Sequence, residues 1–330
     1  MEWTIEKIKL DLKYTWKISR NVSTYKENLL VQCGHFGHFG LGEVAPNIRY
    51  DETPENLLAE FYAMQDALKD CPSTLPEFEL WLSGFKIHNA LRFGIESAFI
   101  HWLVKDKNTT IYDLLNIAKP NKVASCYTLP IMDESDIENF YRTYKLHRFN
   151  YLKVKVNDAA ALDMIKEICK LGTHKIMIDA NEAWKDLDEL LRFIPRLNIY
   201  PIEFIEQPMP AHMVAEYMEL KKHSELCIMG DESVLNLPDF DLLEKQFHGV
   251  NMKLMKAGGY VNGLRILREA KARGMRTMIG CMVETTLGIK SAWSLCAEAE
   301  YADLDGCLIV GNEPFHLLKE DNGLFEETEQ

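Results

Sequence analysis

HKIMIDANEAWKDLDELLRFIPRLNIYPIEFIEQPMPAHMVAEYMELKKHSELCIMGDE, residues 174–232, contains three short apolar runs that each end in a carboxylate. The runs are HKIMIDA, IEFIEQ and LCIMGDE; their acids are Asp179, Glu206 and Asp231, 27 and 25 residues apart. Between them lie DLDELLRFIPRL and HMVAEYMELKKH, whose apolar residues recur at helical spacing. Each interval is one strand plus one helix, so the three acids fall side by side at the ends of neighbouring parallel strands.

The same texture extends both ways. ASCYTLPI and NYLKVKV precede this stretch, and GVNMKLM, RTMIGCM and ADLDGCLI follow it, with helix-like segments such as AALDMIKEICKLG and VNGLRILREAKARG between. Eight such runs predict an α/β fold, a (β/α) barrel over residues 119–310. No helical pattern follows the eighth run, so the reading is a modified (β/α)7β TIM-type barrel whose tail, 311–330, returns to the first domain. Residues 1–118 read differently. TIEKIKLDL, NLLVQCG and HFGLGE are strand-like, and PENLLAEFYAMQDALKD and HNALRFGIESAFIHWLVK are helix-like, which predicts a separate N-terminal α+β domain.

Composition narrows the function. With 50 acidic and 37 basic residues the formal charge is −13, which opposes binding to nucleic acid or an anionic membrane. The opening MEWTIEKIKLDLKYTW lacks the basic and apolar regions of a signal peptide, and no apolar run reaches spanning length. Eight cysteines without a C-x-x-C pair read as reduced thiols, so the expected compartment is cytoplasmic. His35 and His38 in GHFGHFG are glycine-spaced and are assigned no site, and the Met and aromatic residues of MPAHMVAEYMEL read as helix core.

Barrel enzymes gather their chemistry at the C-terminal ends of the strands. A single acid there is more often a helix cap. Three in phase repel one another unless a cation stands between them, and an all-oxygen set favours Mg²⁺ over zinc. In YLKVKV, Lys153 and Lys155 share one strand face, and Lys253 ends strand six, four strands away across the mouth. A lysine on each side of a bound carbon, with a cation at its carboxylate, suits removal and return of an α-proton. For that work the lysines are expected to be partly neutral, through a nearby Mg²⁺ and, for Lys155, the adjacent Lys153.

In this order the residues resemble the muconate-lactonizing subgroup of the enolase superfamily, over nearly the whole chain. LKVKV resembles its K-x-K strand, IDANEAW its D-x-N-x-x-W strand, IEQP its E-Q-P strand, GDES its D-E-S strand, and NMKLMKAGG its N-x-K-x-x-K-x-G-G strand. The resemblance implies that Asp179, Glu206 and Asp231 bind Mg²⁺, that Lys155 and Lys253 are the acid/base pair, and that Lys153 tunes Lys155 and bonds the substrate carboxylate. It also implies that the N-terminal domain with GLGEVAP is a capping domain whose loops around 16–28 and 45–53 close the mouth, and it is compatible with a homo-oligomer. Glu182, Ala183 and Gly230 depart from the family pattern, where Gln, Gly and Ala are usual.

The subgroup hosts several reactions. Asp303 and Asp305 in ADLDG, on one face of strand eight, would suit a substrate ammonium, and they resemble the D-x-D of dipeptide epimerases. A dipeptide spans about 7 Å, enough to join that pair to the metal. IGCMVETTLGI, with Glu284, resembles the same enzymes. The expected function is therefore Mg-dependent epimerisation of a dipeptide, L-Ala-D/L-Glu-like, at its C-terminal residue. The alternatives are an N-acylamino acid racemase, an o-succinylbenzoate synthase or cycloisomerase, or a non-catalytic binding barrel. Thr128 on strand one and Arg20 in the first loop are further candidate substrate contacts, and Arg49 could read an acidic side chain or be a surface charge.

Overall fold

The computed structural model describes residues 1–18, 21–157 and 161–328. Its N-terminal part is an antiparallel sheet in the order β1 (Glu2–Ile18), β2 (Asn21–His35), β3 (His38–Val44). Helices α1 (Pro54–Lys69), α2 (Leu75–Ser83), α3 (Asn89–Asp106) and α4 (Ile111–Leu115) follow. Thr53 caps α1, its hydroxyl accepting from Asn56 N while Asn56 reaches back to Thr53 N, with Pro54 at the first turn. β3 lies on α3 so closely that a Cβ at Gly40 or Gly42 would run into the α3 backbone at Ala98 or Gly94. The glycine spacing of HFGLG thus serves this contact.

Of residues 16–28, expected as a lid loop, the described ones, 16–18 and 21–28, belong to the paired strands β1 and β2. Register shifts between Asp11 and Trp16, and pairing resumes from Trp16↔Ser23 to Ile18↔Asn21. The aromatic and β-branched residues Trp16, Val22, Thr24 and Tyr25 favour the extended form. The lid is therefore a hairpin rather than a loop. Arg20 lies outside the described residues.

After β4 (Val123–Ala124), eight parallel strands follow in sequence order: β5 (Cys126–Leu129), β6 (Tyr151–Lys155), β7 (Lys175–Asp179), β8 (Ile202–Glu206), β9 (Ile228–Gly230), β10 (Gly249–Lys253), β11 (Arg276–Gly280) and β12 (Tyr301–Asp303). The helices between them are α5 (Glu134–Thr143), α6 (Ala161–Leu171), α7 (Leu187–Phe193), α8 (Val214–His223), α9 (Phe240–Gln246), α10 (Leu254–Ala257) and α11 (Tyr260–Ala272), and α12 (Thr286–Trp293). Among the described residues no α-helix follows β12, where a 3-10 turn, Asp305–Cys307, stands in its place, so the barrel has the (β/α)7β form. β5 ends at Leu129, before Pro130, because proline offers no N–H to the ladder. No backbone ladder joins β12 to β5. There Leu304 N donates to Ser125 Oγ at 2.9 Å and Cys126 Sγ to Asp303 Oδ1 at 3.2 Å.

The barrel interior follows from strand alternation. Cys126, Met177, Phe204, Met229, Met278 and Tyr301 pack together inside it. Two residues further along the same strand faces come Thr128, Asp179, Glu206, Asp231, Gly280 and Asp303. An apolar plug thus supports a polar layer directly above it.

The tail crosses β1, with Lys13 N donating to Ile309 O at 2.9 Å and Gly311 N to Asp11 O at 2.7 Å. It ends as a hairpin, β13 (Leu318–Asp321) and β14 (Leu324–Glu327), paired with β4. Two buried glutamates join the N-terminal part to the barrel at helix N-termini. Glu43 accepts from Thr285 N and Gly288 N, both at 3.0 Å, at the start of α12. Glu96 accepts from Tyr260 N at 2.5 Å and Val261 N at 3.2 Å at the start of α11. No helix among the described residues is long and apolar enough to cross a membrane.

Glu284 sits beside the Glu43 contact, accepting from Met282 N at 2.7 Å. Burial, then the charge of Glu43, pushes its carboxyl up to about 8. The folded state therefore holds a proton that the unfolded chain releases near the ordinary glutamate value of about 4.3. Stability falls as pH rises through that window. The melting temperature should drop between about pH 4 and about pH 8 and level off above, and Glu284→Gln, which keeps the acceptor without the charge, should flatten the drop. An equal drop in the variant would show that another group governs it.

Candidate active site

The polar layer opens into a cavity of about 860 Å³ between the barrel mouth and the N-terminal hairpin. Lys155, Asp179 and Glu206 are register partners on β6, β7 and β8, so their side chains leave one face in a row. Asp231 follows β9 immediately, and Lys253 ends β10, four strands from Lys155. All five are buried.

The ammonium of Lys153, 1% exposed, is the electrostatic centre of the floor. It lies 2.7 Å from Asp303 Oδ2, 2.8 Å from Glu206 Oε2 and 2.9 Å from Asp179 Oδ2. Lys155 donates to Asp179 Oδ2 at 2.5 Å, and Lys253 to Asp231 Oδ2 at 3.0 Å. Burial disfavours every one of these charges, yet opposite charges win at most of them. Lys153 and Lys155 hold Asp179 below the usual carboxylate range, and Lys253 and Lys256 do so for Asp231. Carboxylates hold Lys153 and Lys253 above the ordinary lysine value. Partial neutrality was expected of Lys155 and Lys253 beside a bound Mg²⁺; in the protein alone Lys253 is held charged by Asp231, and Lys153 by Asp179, Asp303 and Glu206.

Glu206 is the exception among the three strand-end acids of β7–β9. Burial and the charge of Asp179 push it up to about 8, and Asn251 Nδ2 donates to its Oε1 at 2.8 Å. Its Oε2 is buried without a hydrogen-bond donor, facing Lys153 off the bonding angle. Among the described residues no three His, Cys, Asp or Glu side chains are gathered on one point as a metal shell. Asp179, Glu206 and Asp231 nevertheless provide an all-oxygen set on adjacent strand ends, a donor type that suits Mg²⁺.

Asp303 is committed to Lys153 and to the Cys126 thiol. Asp305 is not on strand eight, which ends at Asp303; it starts the following 3-10 turn, because Leu304 leaves the extended conformation to meet Ser125 across the seam. Both acids still line the cavity. Asp305 Oδ2 accepts from Thr128 N at 2.5 Å, and burial with the charge of Asp303 pushes it up to about 7. Thr128 also lines the cavity, whereas Glu284 does not: its carboxylate folds back onto Met282 N beneath the mouth. Arg49 forms a two-pronged pair with Glu182, Nε to Oε2 at 2.9 Å and Nη2 to Oε1 at 3.0 Å. That pair joins the loop before α1 to the loop after β7, so Arg49 is engaged by the protein itself.

Three supporting residues carry no assigned role in the sequence reading, although its motifs contain them. Lys256 donates to Asp231 Oδ1 at 2.5 Å and to Asn251 O at 3.2 Å, fixing the acid from behind. Gln207 Oε1 accepts from Asp231 N at 2.8 Å and Ser233 N at 3.1 Å. Asn251 fixes Glu206 as described, and Gly280 makes room for this pair: its Cβ would lie 2.5 Å from Asn251 Oδ1 and 3.0 Å from Lys253 Cε. Polar residues inside strands and just after them are the signal that marks all three.

Comparison with known proteins gives a consistent relationship. The enolase C-terminal domain-like family matches residues 136–326. The chain is 32% identical to the L-Ala-D/L-amino acid epimerase of Pedosphaera parvula (strain Ellin514), over 96% of this chain and 92% of that protein. It is 29% identical to the L-Ala-D/L-amino acid epimerase of Flavobacterium johnsoniae, over 95% and 93%. The solved dipeptide epimerase of Enterococcus faecalis V583, complexed with Mg and the dipeptide L-Leu-L-Tyr, matches with a TM-score of 0.90 at 26% identity, covering 99% of this chain and 97% of that one.

Removing a buried charge whose partners remain is costly. Lys153→Ala should lower the unfolding free energy in urea by about 3–5 kcal/mol. Lys253→Ala should cost less, because Lys256 still pairs with Asp231. Equal losses would contradict the central place given to Lys153.

Proposed function

This chain belongs to the enolase superfamily, as a member of the enolase C-terminal domain-like family, and on that premise we propose that it is a dipeptide epimerase, inverting the α-carbon of the dipeptide's C-terminal residue. The observation that carries the reading is the pair Lys155 and Lys253, four strands apart at one cavity with acids on the strands between. The names of the relatives at 32% and 29% identity support the same reaction class.

Asp179, Glu206 and Asp231 would hold Mg²⁺, and the buried Oε2 of Glu206, without a donor, supports that fit. When bound there, Mg²⁺ supplies positive charge at the substrate carboxylate, where negative charge grows as the α-proton leaves. The rest is done by side chains of the chain itself. Lys155 takes the α-proton on one face. Lys253, held charged by Asp231, returns a proton on the other, and the α-carbon inverts; in the reverse direction the two exchange roles. The dipeptide ammonium pairs with Asp303 and Asp305, and a cation there relieves the crowding of charge that pushes Asp305 up. Lys153 keeps the floor electrically balanced beneath the substrate. All eight cysteines are free thiols, which supports a reducing, cytoplasmic setting.

The test is deuterium uptake at the C-terminal α-carbon, with inversion, when dipeptides are incubated with the enzyme and Mg²⁺ in D₂O. Lys155→Ala and Lys253→Ala should each slow inversion by about 10²–10⁴-fold, while each retains exchange from one stereoisomer. A chelator should abolish exchange and added Mg²⁺ restore it. Exchange confined to N-acylamino acids would move the assignment to the racemase reading.

A further inference from the structure

The loop before α1, residues 45–53, is tied down along its length. At its start, Ala45 N donates to Met255 Sδ at 3.3 Å and Asn47 Nδ2 to Met282 Sδ at 3.6 Å, both on the barrel. At its end, the buried Glu52 accepts from Asn47 N and from Ala90 N in the first turn of α3, both at 3.1 Å. Its middle, Ile48–Tyr50, is a 3-10 turn that lines the cavity. Arg49 ties this turn to the barrel through the two-pronged pair with Glu182.

Glu182 is built to hold it. Its backbone φ of 65°, after 45° at Asn181, lies in the left-handed region, which a residue with a Cβ adopts at a cost. Such a conformation persists where the bonds around it over-determine it. Here Glu182 N donates to Gln207 O at 2.8 Å, and Lys185 Nζ donates to Glu182 O at 2.6 Å. Glu182 Oε1 accepts from Ala211 N at 2.8 Å as well as from Arg49. One buried carboxylate therefore joins three loops: the one before α1, the one after β7 and the one after β8. The last two begin directly behind Asp179 and Glu206. The family resemblance places Gln at this position, and an amide, with one acceptor oxygen, cannot take both prongs of a guanidinium. The two-pronged pair thus belongs to this chain's own sequence.

We propose that Glu182 is a positioning residue: acting through Arg49, it pins loop 45–53 to the barrel as a stationary wall of the cavity, where the family resemblance implies a loop that closes. The wall carries Tyr50, next to Arg49, whose phenol feels the charges of Asp231, Glu232 and Lys253. A dipeptide bound between the two lysines therefore meets Tyr50 already in place. That consequence rests on the dipeptide reading; the pinning itself does not.

The experiment is backbone hydrogen exchange, read by mass spectrometry, in the wild type, Arg49→Met, Glu182→Gln and the double variant. The amides of Tyr50, Asp51 and Glu52, each bonded within the loop, report on it. In the ligand-free protein Arg49→Met should speed their exchange by about tenfold with the amides of β7 unchanged, which separates loosening of the loop from loss of the fold. Glu182→Gln, whose oxygen can still accept from Ala211 N, should speed it less. The double variant should add no more than about twofold to Arg49→Met, since the pair is already broken. In the wild type, Mg²⁺ and L-Ala-L-Glu should change these amides by less than about twofold. Arg49→Met should raise KM for that dipeptide by about fivefold and leave kcat within about twofold. Unchanged exchange in Arg49→Met, or a double variant far looser than either single one, overturns the pinning through Arg49. Strong protection of the same amides when the wild type is given a dipeptide it turns over shows a moving lid and overturns the stationary wall. Absence of turnover with every dipeptide overturns the epimerase reading and leaves the ligand-free comparison to decide the pinning.

Discussion

The withdrawal from water of five carboxylates at one end of a barrel is the constraint to which the rest of the structure answers. Asp179, Glu206, Asp231, Asp303 and Asp305 are all buried, and burying a bare charge costs several kcal/mol even after relaxation. Four lysines, Lys153, Lys155, Lys253 and Lys256, meet them at hydrogen-bonding distance. The balance is one positive charge short, and the shortfall is felt at Glu206 and Asp305, the two acids held up near neutrality. A site arranged this way is suited to receive cations, a metal at one side and an ammonium at the other.

The same kind of interaction fastens the N-terminal domain over the mouth. Glu43 and Glu96 leave that domain and end at the first turns of α12 and α11, where unpaired backbone N–H groups and the helix dipole favour an anion. Arg49 and Glu182 add a pair between the two cavity-facing loops. Tyr14, placed by the irregular stretch of β1, packs edge-on against Phe140 and Tyr144 of the barrel at 5.0 and 4.9 Å. These contacts hold the base of the hairpin, while its outer part reaches over the cavity.

Much of this was legible in the sequence because it depends on short periods. An acid two residues beyond an apolar plug residue, repeated once per strand and helix, places Asp179, Glu206 and Asp231 without knowledge of any tertiary contact. Lys155 and Lys253 follow from the same alternation. What could not be read depends on which distant side chains meet. Nothing near Arg49 in the chain points to Glu182, and nothing near Glu284 tells that its carboxylate folds back on Met282 N. The lid loop around 16–28 was an expectation of the family resemblance; residues 16–18 and 21–28 are instead paired strand ends of a hairpin, several of which line the cavity. The charged state of Lys153 and Lys253 likewise depends on how many acids surround them, a sum over five strands that no single motif contains.

The seam between β12 and β5 divides the barrel mouth into two kinds of ground. Lys155, the acids of β7–β9 and Lys253 stand on a ladder hydrogen-bonded on both sides, where moving one strand means moving its neighbours. Asp303, Asp305 and Thr128 stand at the break, where side-chain hydrogen bonds of Ser125, Cys126 and Asp305 replace a ladder. A substitution at Ser125 or Cys126 can therefore change the spacing there without disturbing the sheet that carries the two lysines. In evolutionary terms, the laddered half of this barrel is constrained by construction and the half at the seam is free to drift, so the proposed amine contacts can change while the proposed proton-transfer lysines keep their places.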